Sequence, residues 1–166
     1  MKNSLHKLVL TALMTSLICI ATMIIRIPAP VNGGYINLGD SVVLFAAWMF
    51  AMPYGLIAAA LGSSLADILS GYIVFAPATF VIKGMMAVAA YYVYKSMVGV
   101  CGRKISRVTS AVIAEIVMVL GYYSYEGILY GFVPSLANLP ANIIQGVAGV
   151  VVGLILFKLF EKNKII

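Results

Sequence analysis

Charge is scarce in this chain: five carboxylates and eleven basic residues among 166, only 10% of the total. Histidine occurs once, as His6, which excludes imidazole-based triads and histidine-rich metal centres. The two cysteines, Cys19 and Cys101, are too few for a metal site. They fall in a predicted span and a predicted loop, so no disulfide is expected between them. A glycine-rich phosphate loop ending in Lys-Ser or Lys-Thr is missing, which excludes ATP hydrolysis by that route. The one tryptophan, Trp48, lies inside a predicted helix, away from any binding surface. These gaps leave no enzyme constellation, no metal site and no cofactor site.

What the chain has is apolar bulk. Hydrophobic residues make up 63% and the mean hydropathy is +1.08, values of an integral membrane protein. Apolar runs recur throughout, so residues 1–166 read as a single transmembrane domain. The apolar run from Leu8 to Ile25 is too long for a signal-peptide core and is taken as the first span. Six helices are expected, at about 5–25, 38–52, 53–72, 77–98, 107–125 and 140–160. Pro53 and Pro140 open the third and the last, since proline tolerates the first turn. Helix two is short, about 22 Å at 1.5 Å per residue.

The net charge of +6 would suggest nucleic acid in a soluble protein, but the placement of the charges points elsewhere. With the N-terminus in the cytoplasm, nine of the eleven basic residues fall in inner segments, leaving Arg26 in an outer loop and Lys83 in a helix. Both termini are then cytoplasmic. Asp40, Asp67 and Glu126 fall near the outer face, and Glu115 falls inside the membrane. No internal two-fold repeat of the kind found in self-contained secondary transporters is visible.

Ionisable and amide side chains within apolar segments are costly and mark substrate or ion pathways. The first outer loop, from Arg26 to Asp40, carries Pro28, Pro30, Gly33 and Gly34, then Tyr35 and Asn37. It suits a lid over an outward pocket. Asp40 or Ser41 is also placed to cap the second helix. Asp67 and Lys83 are at comparable depth on helices joined by a short loop. They read either as an internal ion pair or as a pair from which Lys83 reaches a ligand. Glu115 and Tyr122, seven apart, share a helix face, with Glu126 one turn beyond Tyr122. Glu115 lies deeper and suits a structural or a ligand role. Asn138, Asn142 and Gln145 follow i, i+4, i+7 spacing, a row of amides suited to a neutral polar heterocycle or to helix–helix hydrogen bonds.

The ordered blocks Tyr35-Ile36-Asn37-Leu38-Gly39-Asp40-Ser41, Gly62-Ser63-Ser64-Leu65-Ala66-Asp67, Pro77-Ala78-Thr79-Phe80 and Ile82-Lys83-Gly84 resemble the substrate-binding S components of energy-coupling factor (ECF) transporters, riboflavin-type subgroup. The resemblance covers nearly the whole chain. It implies an all-α membrane fold of six helices in a prokaryotic plasma membrane. It also implies capture of a water-soluble vitamin or precursor at the outer face, either pyridoxine-like, hydroxymethylpyrimidine-like or riboflavin. Release inward would follow docking on a transmembrane coupling protein, the T component, that carries two ATPase subunits. Substrate contacts implied are Asn37, Lys83, Tyr122, Asn138 and Asn142; Glu126, beside the outward cavity, joins them as a candidate contact by its own position. The nearest match to the family's Ala-xxx-Ala docking pattern is Ala12 and Ser16. A different class remains open beside it: an autonomous ion- or proton-coupled carrier using Asp67, Lys83 and Glu115 as a relay.

Overall fold

Long apolar runs without period-two alternation fold as helices, which satisfy their interior backbone groups within the segment. A computed structural model describes residues 2–28 and 35–162, and within these the chain is almost entirely helical. Helix α1 spans Lys2–Ile24. Two short strands, β1 (Ile27–Pro28) and β2 (Tyr35–Ile36), pair antiparallel, with Ile27 opposite Ile36 and Pro28 opposite Tyr35. Helices α2 (Gly39–Met49), α3 (Tyr54–Leu69) and α4 (Ala76–Tyr130) follow. A short α5 (Phe132–Ser135) and a 3₁₀ turn (Leu136–Asn138) lead into α6 (Leu139–Lys162). Pro30, Gly33 and Gly34 of the expected lid, and Lys164 of the C-terminal tail, lie outside the described residues.

The fourth and fifth predicted helices are the two limbs of α4, broken at Gly102 alone. Its φ of 75° reverses the chain, a conformation glycine adopts without a Cβ penalty. The polar stretch around Arg103 and Lys104 was expected to be a loop, but both residues are helical, as is Cys101. The Ser106 hydroxyl donates to the Gly102 carbonyl at 2.7 Å and closes the first turn of the second limb. Thr79 meets Tyr122, and a Cβ on Gly121 would touch Ile82, so limbs 76–101 and 103–130 run antiparallel.

Helix α2 is the axis of the packing. All nine residues from Gly39 to Ala47 are buried, and α1, α3, α4 and α6 all pack on it. At roughly 16 Å it is far shorter than a bilayer core of about 30 Å. It forms the interior of the bundle, with Val43, Leu44 and Ala46 fully enclosed beside Ile18, Met86 and Met118. Helix α3 approaches α1 nearly to backbone contact, since a Cβ on Gly62 would lie 2.6 Å from the Thr15 carbonyl oxygen. The outer surface is apolar too: Leu8, Leu13 and Leu17 on α1 and Val147, Val151 and Ile155 on α6 are exposed. Among the described residues, three helical segments are long and apolar enough to cross a membrane, within Leu5–Ile24, Ala76–Tyr130 and Phe132–Glu161.

Candidate functional site

The C-terminal end of α3, the two far ends of α4 and the N-terminal end of α6 converge at one end of the bundle. The other end carries Lys95, Arg103, Lys104, Arg107 and Lys158. At the convergence lies a small polar pocket. Asp67 of α3, Phe75 just before α4 with Thr79 in its first turn, and Tyr122 and Glu126 near its finish form three walls. Asn142 and Gln145 of α6 form a fourth, and Tyr35 and Asn37 from the segment before α2 close the top. The free volume is about 30 Å³, room for a water molecule. A vitamin-sized molecule therefore requires the walls to part.

A hydrogen-bonded chain runs beneath this pocket. The Lys83 ammonium forms a buried salt bridge with Asp40 Oδ1. Asp40 Oδ2 accepts from Gln145 Nε2 at 2.8 Å. Gln145 Oε1 in turn accepts from the Asn37 backbone N–H at 3.0 Å and its Nδ2 at 3.3 Å. The chain thus ties the pocket's top to α6, α2 and α4. Asp40 does not cap α2. That task falls to Asn37, whose Oδ1 accepts from the Gly39 N–H at 2.9 Å, while the Ser41 hydroxyl donates to the Leu38 carbonyl.

The expected Asp67–Lys83 ion pair is also replaced, because Lys83 is paired with Asp40. Asp67 Oδ1 instead accepts from the Tyr35 hydroxyl at 2.5 Å, and the Tyr35 ring lies 4.5 Å from that of Tyr72. Burial, and then the Asp67 carboxylate, push the Tyr35 hydroxyl above its usual range, so it remains a donor. The α3–α4 geometry explains the exchange. Lys83 points into the bundle, where α2 presents Asp40, while Asp67 faces the pocket below the Tyr35 segment.

The sequence-derived residues divide into layers. Asn37, Asp67, Tyr122, Glu126, Asn142 and Gln145 line the pocket. Asp40, Lys83 and Glu115 form a buried layer below, with the Lys83 nitrogen 5.4 Å from the Tyr122 ring centre. Gly149 makes that layer possible: a Cβ there would lie 2.5 Å from Glu115 Oε1 and 2.9 Å from Asp40 Cβ. Asn138 is not on the α6 face but in the 3₁₀ turn before it, and its Nδ2 donates to Glu126 Oε2 at 3.0 Å. Ala12 and Ser16 are both exposed on α1, one turn apart, far from the pocket.

Phe75 and Thr79 were not among the sequence-derived site residues. Thr79 had a signal, standing four residues before Lys83 on the same helix face. Its hydroxyl lies 3.0 Å from that of Tyr122. Phe75 precedes the helix and had none.

Known proteins place this arrangement. Residues 2–162 match the family described as ECF-type riboflavin transporter, S component. A protein of Pyrococcus woesei, described as an uncharacterized protein in gap 3′region, is 37% identical over 136 residues, 82% of this chain and 88% of that protein. The thiamine precursor transporter HmpT of Lactococcus lactis subsp. cremoris (strain MG1363) is 25% identical over 166 residues, 99% and 93% of the two chains. A solved structure reported under "Structure and mechanism of the S component of a bacterial ECF transporter" superposes with a TM-score of 0.77, covering 98% of each chain at 23% identity, and shares the fold. The chain belongs to the S components of the ECF-type riboflavin transporter family, membrane subunits that bind the substrate of a vitamin transporter.

Proposed function

We propose that this chain crosses a prokaryotic plasma membrane six times with both termini in the cytoplasm. It captures a vitamin or vitamin precursor at the outer face and delivers it inward when docked on a T component with two ATPase subunits. The carrying observation is the pocket itself. Buried carboxylates, amides and aromatic rings meet at one end of an otherwise apolar bundle, the end opposite Lys95, Arg103, Lys104, Arg107 and Lys158. Basic residues gather on cytoplasmic faces, which turns this pocket outward.

Lining rings and amides suit a small heteroaromatic compound, held by ring contact and directed hydrogen bonds. Tyr122, Glu126, Asn142 and Asn37 act as direct contacts. Lys83 and Asn138 act through their partners, Asp40 and Glu126. The exposed small residues Ala12 and Ser16 on α1 allow close approach of a partner helix.

The deciding experiment is mass spectrometry of small molecules released from gently purified protein. A vitamin or precursor in stoichiometric amount is the expected result. Uptake into vesicles containing this chain alone, with no ATPase partner, would instead establish an autonomous carrier.

A further inference from the structure

The outer surface of the bundle carries a second concavity, separate from the polar pocket. It is a groove of about 470 Å³ between the second limb of α4 and α6. Val112, Ile116 and Val119 form one bank, and Ile143, Val147 and Val151 the other. Gly146 leaves the space between them open, and Glu115 contributes to the floor. Both Glu115 oxygens are buried, with Oε1 packed towards Gly149 and Asp40, so the groove surface is hydrocarbon.

Towards the basic end both banks turn cationic. Lys104 stands eight residues before Val112, and Lys158 seven after Val151, spacings that return to the same helix face. Both lysines are exposed, and neither has a salt-bridge partner among the described residues. The carboxylate at this end, Glu161, is engaged by Arg107 and Arg103. From Lys158 to Val147 is about 16 Å along the helix, which matches one leaflet of a hydrocarbon core about 30 Å thick.

Shape and charge select the occupant. Spread over the roughly 12 Å from Val112 to Leu120, the groove has a cross-section of about 40 Å², well below the ~80–110 Å² of a helix 10–12 Å across. A second copy inserted the same way would bring Lys104 and Lys158 against their own counterparts, like charge on like. We propose that this groove binds one anionic phospholipid from the leaflet at the basic end. An acyl chain fills the apolar slot, and the headgroup phosphate lies between Lys104 and Lys158, as basic clefts between membrane helices hold acidic headgroups.

Native mass spectrometry of the purified chain in detergent tests this with phosphatidylglycerol and phosphatidylcholine of identical acyl chains. Phosphatidylglycerol should be retained about 10- to 30-fold more strongly, the scale of two lysines at an anionic headgroup. Replacing both lysines, Lys104→Gln with Lys158→Gln, should bring the ratio close to one. Lys95→Gln, also at the basic end but on the first limb, should leave it unchanged. Val147→Trp fills the slot and should lower retention of both lipids several-fold, with Val151→Trp as the second variant if thermal melting shows the first to be unfolded. Equal retention of the two lipids by the unaltered chain overturns the proposal. So does a loss in Lys95→Gln as large as in the lysine pair, which would mean a general surface field. Full retention in the folded tryptophan variant, or displacement of the lipid by excess inorganic phosphate, removes the acyl slot. A paired copy that disappears in that variant assigns the groove to self-association instead.

Discussion

Buried charge occurs at both ends of this bundle, and the two ends treat it differently. At the basic end, Arg107 donates through Nη1 and Nη2 to the two oxygens of Glu161 at 3.1 and 3.3 Å. Its guanidinium also lies 3.8 Å from the centre of the Phe157 ring, a cation–π contact. Its charge and its stacking surface are matched by this chain's own side chains, while Nε is buried without a hydrogen-bond partner. At the pocket end, an equally buried Asp67 keeps one oxygen without a donor, and Asn142 keeps a donor without an acceptor. Glu115, in the layer below, keeps both oxygens without a partner as well, so what sets Asp67 and Asn142 apart is that they line one pocket. The Asp40–Lys83 pair belongs with Arg107 in its matched charge, although it lies directly beneath the pocket.

The largest expected effect comes from breaking that lower layer. Asp40→Ala strands the Lys83 ammonium in the interior and should cost about 3–5 kcal/mol, read as a fall in thermal midpoint in detergent. Combining it with Lys83→Met should recover much of the loss, because the stranded charge is gone; simple additivity in the double-mutant cycle would show the two residues to be uncoupled. Next is Gly149→Val, which forces side-chain atoms into the space of Glu115 Oε1 and Asp40 Cβ and should cost about 1–3 kcal/mol. A midpoint equal to wild type would mean that α6 is free to move away from α2.

Smaller effects separate binding from bracing. Asn142→Ala should weaken ligand binding about tenfold by titration while leaving the thermal midpoint within a degree or two, since its Nδ2 has no internal partner to lose. Tyr35→Phe removes the donor to Asp67 Oδ1 and should weaken binding several-fold by loosening the pocket's top. The smallest effect on affinity is expected from Arg107→Ala, which should lower the midpoint and leave the dissociation constant unchanged. A weaker ligand complex in that variant would erase the distinction between the two ends.

Much of the candidate pocket's lining was legible in the chain because amides and carboxylates stand out against apolar surroundings. Asn37, Asp67, Glu126, Asn142 and Gln145 were visible in this way, and Tyr122 by the helix face it shares with Glu115; the structure brings all but Glu115 around one pocket. Pairing was not legible. Asp67 and Lys83 are close in sequence and depth, yet Lys83 turns towards Asp40, 43 residues away, because side-chain direction depends on how α2 and α4 are rotated about their axes. Asn138 fitted the spacing of α6 but sits in the 3₁₀ turn before it, where the helical period no longer applies. Phe75 carried no pattern at all, and only the approach of α3 and α4 makes it a wall.

Sequence alone determined the kind of protein: apolar helices with little charge, basic residues gathered at one end, and a few polar groups too costly to retain without use. These follow from solvation, which depends on composition and order along the chain. Tertiary structure decided which polar groups neutralise one another and which face the pocket. That choice depends on contacts of a few ångströms between helices distant in sequence, and no one-dimensional spacing encodes them.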